Sequence, residues 1–269
     1  MAIVALNTAA TGLAALSTEI DVIAHNLANV NTTAFKRSRV NFEDLLYQRQ
    51  NTPGSRATSG ATVPSVTQVG LGVRVSNTQL DMTQGSLEST RRQLDVAIEG
   101  DGFFQIQIQP EIGTGTGYTR AGTFFINRDG QFVLGNSEGF LLEPAITVPA
   151  ETIDVTVGSD GTVEVTLPGS ITPTEVGTIE LARFINDEGL QAIGSNIYLE
   201  SEASGPPTTT VPGEGGAGTL VQEFLETSNV DPVRELVSLI KSQRAFELNS
   251  QSIQTADETL QVVGNLRRF

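Results

Sequence analysis

The chain has 269 residues, of which 38% are hydrophobic, and a formal net charge of −15. It contains no cysteine, which excludes disulfides, thiolate catalysis and cysteine metal ligands. The acidity is concentrated in residues 93–230, which hold 20 acidic and 3 basic side chains, and such a surface disfavours nucleic acid as a partner. Because no uncharged apolar run approaches the ~20 residues of a transmembrane helix, we expect no membrane insertion.

The first predicted element is a helix over residues 2–30. Apolar residues recur there at alternating spacings of three and four, and such a narrow stripe has to pack against another helix. The segment lacks the basic residues of a secretory leader, so we expect it to belong to the mature structure. Alone, such a helix is marginal, and we expect it to become ordered in an assembly. Its stripe consists of Leu6, Ala9, Leu13, Leu16, Ile20, Ile23, Leu27 and Val30.

A basic-then-acidic amphipathic stretch, FKRSRVNFEDLLYQ, follows the helix. We interpret its basic residues Lys36, Arg37 and Arg39 as a solvated or intersubunit face that meets acidic residues of a neighbour. Residues 48–68 are then rich in Ser, Thr, Gly and Pro and have no helical period, which predicts an extended arm or long loop. The residues that we assign to a rigidifying arm over 47–66 are Tyr47, Pro53, Gly54 and Pro64.

From Val69 onward the sequence alternates as β-strands do. Asp-Gly turns occur at Asp101-Gly102, Asp129-Gly130 and Asp160-Gly161, each between alternating runs, and we predict a hairpin at each one. The segments TIELARFIN and NIYLESEASG predict further strands. Residues 204–218, rich in Gly and Pro, are predicted to lead back towards a second helix.

The second helix is predicted from Pro232 to about Leu266. Asp231 can cap its start, Pro232 suits the first turn, and Glu235 is favourably placed near the positive end of the helix dipole. Every seventh residue is apolar along one face, with a second set of residues at the companion positions. The first set is Leu239, Phe246, Ile253 and Leu260, and the companions are Ser242, Asn249, Ala256 and Val263.

The segregation of helices to the ends and strands to the middle predicts an α+β fold. We expect residues 1–35 and 227–269 to form a discontinuous coiled-coil α-domain. Residues 36–92 are expected to form the arm and a connecting β region, and residues 93–226 a central antiparallel β-domain. A chain with an apolar seam at each end can pair its own termini and still offer helical surface to copies of itself. We therefore predict self-assembly into a helical polymer.

No catalytic, cofactor-binding or metal-binding residue is predicted. His25 is the only histidine, and without further ligands we interpret it as a packing residue. Two other classes of protein stay open. A β-rich carbohydrate-binding or adhesive module would explain the middle but not the terminal seams, and the absence of Trp leaves it without an aromatic sugar platform. A hydrolase would need a convergent acid, base or nucleophile, and no spacing singles out such a pair.

Several blocks of the sequence resemble bacterial flagellar rod and hook proteins. The terminal blocks are DVIAHNLANVNTTAFKRSRVNFEDLLYQ and ETSNVDPVRELVSLIKSQRAFELNSQSIQTADETLQ, and the internal ones are VAIEGDGFF, YTRAGTF and GLQAIGSNIYLE. The length and the arm at 47–66 are similar to distal rod members of that family, with proximal rod and hook members as alternatives. The position before Phe35 is often Gly in the family and is Ala34 here, which disfavours a left-handed backbone. The residues that match the N-terminal motif are Asn26, Leu27, Ala28, Asn29, Thr32, Phe35 and Lys36.

The resemblance implies a rigid hollow tube in the basal body, which spans the periplasm and transmits torque from motor to hook. It also implies export through the flagellar type III apparatus. The partners it implies are further copies of the chain, adjacent rod and hook proteins, and the surrounding periplasmic and outer-membrane ring proteins. The assembly core that we predict comprises Leu6, Leu13, Leu16, Ile20, Ile23, Leu27, Leu239, Phe246, Ile253 and Leu260.

Overall fold

The computed structural model describes residues 2–49, 68–109, 115–170 and 172–266. Within these ranges the chain begins with one α-helix, continues through twenty short strands and ends with a second α-helix. This order confirms the α+β class predicted from the sequence. The elements are α1 (Ala2–Ala28), β1 (Ser38–Asp44), β2 (Tyr47–Arg49), β3 (Gln68–Gly70), β4 (Val73–Leu80), β5 (Leu87–Ser89), β6 (Val96–Glu99), β7 (Phe103–Gln107), β8 (Thr116–Thr119), β9 (Phe124–Ile126), β10 (Phe132–Leu134), β11 (Leu141–Glu143), β12 (Asp154–Val157), β13 (Thr162–Thr166), β14 (Thr174–Thr178), β15 (Leu181–Arg183), a 3-10 turn (Asp187–Gly189), β16 (Gln191–Gly194), β17 (Ile197–Leu199), β18 (Thr208–Thr210), β19 (Thr219–Gln222), β20 (Phe224–Glu226) and α2 (Pro232–Leu266).

The chain forms two compact units. The helical unit contains α1, β1 to β4 and α2, and the β unit contains Asn29–Arg37 and Asp81–Val230. Residues 38–80 thus group with the two helices, whereas the sequence suggested a separate region over 36–92. None of the helices that the structure describes is long and apolar enough to cross a membrane.

In the helical unit, α1 and α2 pack against each other. The start of α2 is set as predicted, because the Asp231 carboxylate accepts hydrogen bonds from the backbone N–H groups of Val233 (3.0 Å) and Arg234 (3.2 Å). These bonds satisfy two of the N–H groups that have no partner inside a helix. The α1 helix ends at Ala28, two residues before the predicted Val30. Strands β1 and β4 form an antiparallel ribbon with an irregularity at Asn41/Phe42.

In the β unit, nine strands form the main sheet. Its path runs β16-β17-β8-β7-β11-β10-β9, with β15 joined to β7 and β18 joined to β15. Strands β12 to β14 form a second sheet, and β6 and β5 pair with β19 and β20. The core contains edge-to-face aromatic pairs, with ring centroids 5.1 Å apart for Phe104 and Phe124 and 6.2 Å apart for Phe124 and Phe132.

Two of the three predicted Asp-Gly hairpins are confirmed. Asp129-Gly130 joins β9 to β10, and Asp160-Gly161 joins β12 to β13. The third prediction is wrong, because β6 pairs with β19 while β7 pairs with β8, β11 and β15. At Asp101 the backbone carbonyl instead accepts a hydrogen bond from the Gly218 N–H (2.7 Å). The segment between β6 and β7 therefore joins two different sheets, the β6–β19 pair and the main sheet.

Candidate functional site

The seam of α1 is only partly covered within one chain. Ile23 is buried, whereas Leu6, Leu13, Leu16, Ile20 and Leu27 are half-buried. On α2, Leu239, Ile253 and Leu260 are also half-buried, and Phe246 keeps 37% of its surface exposed. The remaining apolar surface of these residues is available to a further partner.

The two helices meet closely where α1 has a glycine. A Cβ added to Gly12 would lie 3.0 Å from Nδ2 of Asn249, so the absent side chain makes room for the polar residue on α2. Ser242, one heptad earlier on α2, is buried. Gly12 costs about 1 kcal/mol of helix propensity relative to Ala, and this close contact accounts for its position.

Asn26 joins three elements of the helical unit. Its side-chain oxygen accepts a hydrogen bond from the Ser38 N–H (3.0 Å), and its Nδ2 donates to the Ser38 carbonyl (2.8 Å). Nδ2 also lies 3.5 Å from a carboxylate oxygen of Glu235 in the first turn of α2. Asn26 and Glu235 are both buried. A buried side-chain amide that is bonded on both sides fixes the end of α1 against β1 and α2.

Of the other matching residues near the end of α1, Leu27 is half-buried and Ala28 is exposed. Asn29, Thr32 and Phe35 form a turn in the β unit. The Thr32 N–H donates to the Asn29 carbonyl (3.1 Å), the Thr32 hydroxyl donates to Asn29 Oδ1 (3.1 Å), and the Phe35 N–H donates to the Thr32 carbonyl (3.2 Å).

Lys36 is buried, so the interpretation as a solvated or intersubunit face is wrong for this residue of the basic cluster, whereas Arg39 is exposed. Its Nζ donates to Glu226 Oε1 (2.6 Å) and to the Thr83 carbonyl (2.8 Å). Glu226 Oε1 also accepts the Gly85 N–H (2.8 Å), and the Glu226 carbonyl accepts the Ala34 N–H (2.8 Å). We call Ala34, Lys36, Thr83, Gly85 and Glu226 the clasp, because together they tie three separate segments of the β unit.

The clasp holds Ala34 in a left-handed conformation (φ +57°), so the expectation drawn from Ala at this position is wrong. A non-glycine residue in this region costs of order 1–3 kcal/mol. The backbone hydrogen bond to Glu226 and the complete burial of Ala34 offset that cost.

The charges around Glu226 are unequal, because two cations face one carboxylate. Arg120 Nη1 lies 3.5 Å from Glu226 Oε2, and its guanidinium lies 5.3 Å from the ring centroid of Phe103. Burial lowers the pKa of Lys36, and the Glu226 carboxylate opposes part of that effect. Burial, reinforced by Glu226, raises the pKa of Tyr198 to about 12. Glu226 is therefore the central anion of a desolvated group of charges.

A second set of hydrogen bonds, centred on Asn229, joins the same three segments of the β unit. Asn229 accepts the Arg37 N–H at its Oδ1 (2.7 Å) and donates from Nδ2 to the carbonyls of Asp81 (2.8 Å) and Thr83 (3.1 Å). The partners Glu226 and Asn229 were missed by sequence reasoning. The contact from Lys36 to Glu226 spans 190 residues, and no local pattern marks one acidic residue among 31.

Of the residues assigned to the arm, Tyr47 lies in β2, which pairs with β3, and its side chain is 54% exposed. Pro53, Gly54 and Pro64 lie outside the described residues. His25 is exposed on α1. In the parts of the chain that the structure describes, three or more His, Asp or Glu residues do not converge as a metal site would require.

Comparison with known families gives three matches in chain order. Residues 6–36 match the description "Flagella basal body rod protein", residues 97–165 match "Flagellar hook protein FlgE/F/G D1 domain", and residues 221–266 match "Flagellar basal body rod FlgEFG protein C-terminal". The chain belongs to the family of flagellar basal-body rod proteins. It is a structural subunit of that rod and is located in the basal body.

Within this family, the chain is similar along nearly its whole length to proteins named "Flagellar basal-body rod protein FlgG". It is 47% identical to the protein of Buchnera aphidicola subsp. Baizongia pistaciae over 96% of this chain and 97% of the relative. It is 46% identical to that of Caulobacter vibrioides over 98% and 99%. It is 45% identical to that of Borreliella burgdorferi over 98% of each.

Proposed function

We propose that this chain polymerises into the distal part of the rod, a rigid hollow tube that transmits torque from the motor to the hook. Its role is structural and not enzymatic. The partners that we propose are copies of itself, adjacent rod and hook proteins, the surrounding periplasmic and outer-membrane rings, and the flagellar type III export apparatus. The match to rod proteins over almost the full length of both chains supports this role.

The observation that carries the proposal is the incomplete burial of the terminal helices. Apolar side chains on the seam of both helices remain half-buried or exposed in a single chain. Complete burial of one such side chain is worth about 1.5–3 kcal/mol relative to full exposure. Covering the rest of the seam with neighbouring subunits therefore favours a polymer over the monomer.

A charge on the seam tests this proposal. Ile20→Asp should stop polymer growth on isolated basal bodies, because an unpaired carboxylate would be buried between subunits. The β unit should stay folded, because Ile20 lies in the helical unit. Electron microscopy measures rod growth, and circular dichroism measures the retained β-structure.

The matched control is Ala14→Asp, which introduces the same charge at an exposed position of α1. This variant should polymerise like the unmodified chain. Full-length rods built from the Ile20→Asp variant would contradict the proposal.

A further inference from the structure

A second apolar face lies on the first turns of α2. Val233, Leu236, Val237 and Ile240 keep 68%, 46%, 46% and 58% of their surface exposed. With 3.6 residues per turn, these four residues share one side of the helix. The same geometry places the buried Glu235 and Ser242 on the other side of the helix. We call these four residues the α2 ridge.

A groove of about 720 Å³ lies at the other end of the helical unit, a volume within the range of pockets that enclose bound groups. It is lined by the start of α1, by the β2–β3 pair and by Asn249 of α2. Small and apolar side chains dominate its wall, and residues 2–18 of α1 carry no charge. We call it the α1 groove, lined mainly by Val4, Ala5, Thr8, Ala9, Val69 and Gly70.

The ridge and the groove of one chain cannot meet. Asn26 near the end of α1 contacts Glu235 beside the ridge, whereas Gly12 in the first half of α1 lies against Asn249. The two helices are therefore antiparallel, and the ridge and groove are separated along α2 by roughly 20 Å at a rise of 1.5 Å per residue. The ridge also lies on the side of α2 away from the buried Glu235 and Ser242.

We propose that the α2 ridge of one subunit occupies the α1 groove of a second copy of this chain. The inference rests on the proposed function and names the surfaces that a rod subunit would use. Branched aliphatic side chains on the ridge match small ones in the groove, and neither surface places a charge opposite the other. Small residues on a helix allow another helix to approach closely, because their side chains keep the backbone accessible.

The axial offset between the two surfaces gives this contact its direction. A patch that fits a pocket elsewhere on an identical molecule forms a heterologous interface, and when the rotation does not close, it forms an open helical polymer. A ridge that met the ridge of another copy would instead form a closed two-fold dimer. The offset therefore favours growth along the helix axis.

The chain has no cysteine, so a thiol-specific cross-linker can join two copies only through cysteines that are introduced by mutation. The double variant Ala5→Cys and Ile240→Cys, polymerised on isolated basal bodies and treated with a short bis-maleimide, should give a ladder of dimers, trimers and longer species. Each single variant should give at least tenfold less cross-linked product, and an equimolar mixture of the two single variants should give dimers only. The matched control is Ala5→Cys with Ser252→Cys, since Ser252 is exposed on α2 outside the ridge.

The outcomes separate the two proposals. Failure of the unmodified chain to polymerise on basal bodies would reject the proposed function itself. The ridge-in-groove contact would be overturned by normal polymerisation without a ladder or by an equal ladder from the control pair. It would also be overturned by strong dimers from Ile240→Cys alone, or by cross-links from Ile240→Cys to another basal-body protein.

Discussion

The Glu226 carboxylate forms ion pairs with two buried cations, Lys36 and Arg120. Lys36 and Arg120 both face its carboxylate, and the side chains of all three residues are at most 4% exposed. Ions removed from water lose several kcal/mol of hydration each, and only close partners offset that loss. The consequence is an asymmetry, because loss of the carboxylate leaves two uncompensated cations, whereas loss of Lys36 leaves Glu226 with Arg120.

Glu226→Gln should therefore destabilise the β unit by about 3–5 kcal/mol, the range for breaking a buried ion pair. Lys36→Met should cost less, because Arg120 still faces the carboxylate. Urea unfolding followed by circular dichroism measures both values. The control is Glu43→Gln, which removes the exposed partner of Arg74 and should cost less than about 1 kcal/mol. Equal effects of Glu226→Gln and Lys36→Met would contradict the asymmetry.

The sequence could not predict this group of charges. Lys36 follows a helix and lies beside Arg37 and Arg39, a pattern typical of a solvated face. Its burial depends on Glu226 and on the carbonyl of Thr83, neither of which is close in sequence. Asp231 is the opposite case, because its capping bonds reach only two and three residues ahead.

At the scale of elements, patterns in neighbouring residues predicted both helices and two of the three hairpins. The third hairpin was predicted wrongly because its strands pair with segments that are distant in sequence. The heptad spacing and the cap located α2 from Pro232 to Leu266. Asp129-Gly130 and Asp160-Gly161 form hairpins because their flanking strands pair with each other. The turn at Asp101 has similar residues, yet Gly218 binds its carbonyl and the flanking strands pair elsewhere.

The arm remains a prediction at this scale. Deletion of residues 48–66 should give assembled but curved or overlong rods, because an extended Pro-containing segment can lie across a neighbouring subunit and fix its angle. Electron microscopy of the rods gives curvature and length. A matched control replaces the same residues with a Gly/Ser segment of equal length, which is flexible and should also give curved rods. Straight rods of normal length from the deletion would contradict the role of the arm.

At the scale of the whole molecule, the uneven charge is the main feature. The β unit carries the whole negative excess, since residues 93–230 hold 20 acidic and only 3 basic side chains. Composition predicted this charge and the alternating strands of the middle. It did not predict β18, because residues 204–218 have the Gly and Pro content of a linker, although β18 pairs with β15. It also did not predict β19 and β20, whose partners β6 and β5 are distant in sequence.

If this acidic surface faces the rings, it should keep the contact hydrated and weakly adhesive. We predict that Glu→Gln at exposed positions of the β unit slows rotation at low salt, with a smaller difference at high salt, where screening is stronger. The positions are Glu138, Glu151, Glu175, Glu202 and Glu214. Rotation of tethered cells measures the effect, and Glu→Asp at the same positions, which keeps the charge, is the control. Unchanged rotation at low salt would reject this role.

The separation of 190 residues between Lys36 and Glu226 also affects when the protein can finish folding. Because synthesis of a polypeptide begins at the amino end, Lys36 exists long before Glu226. Closing so large a loop is slow, because its entropy is lost before the contact forms. The β unit therefore cannot reach its final state until most of the polypeptide is present, because the clasp needs residues from both of its ends.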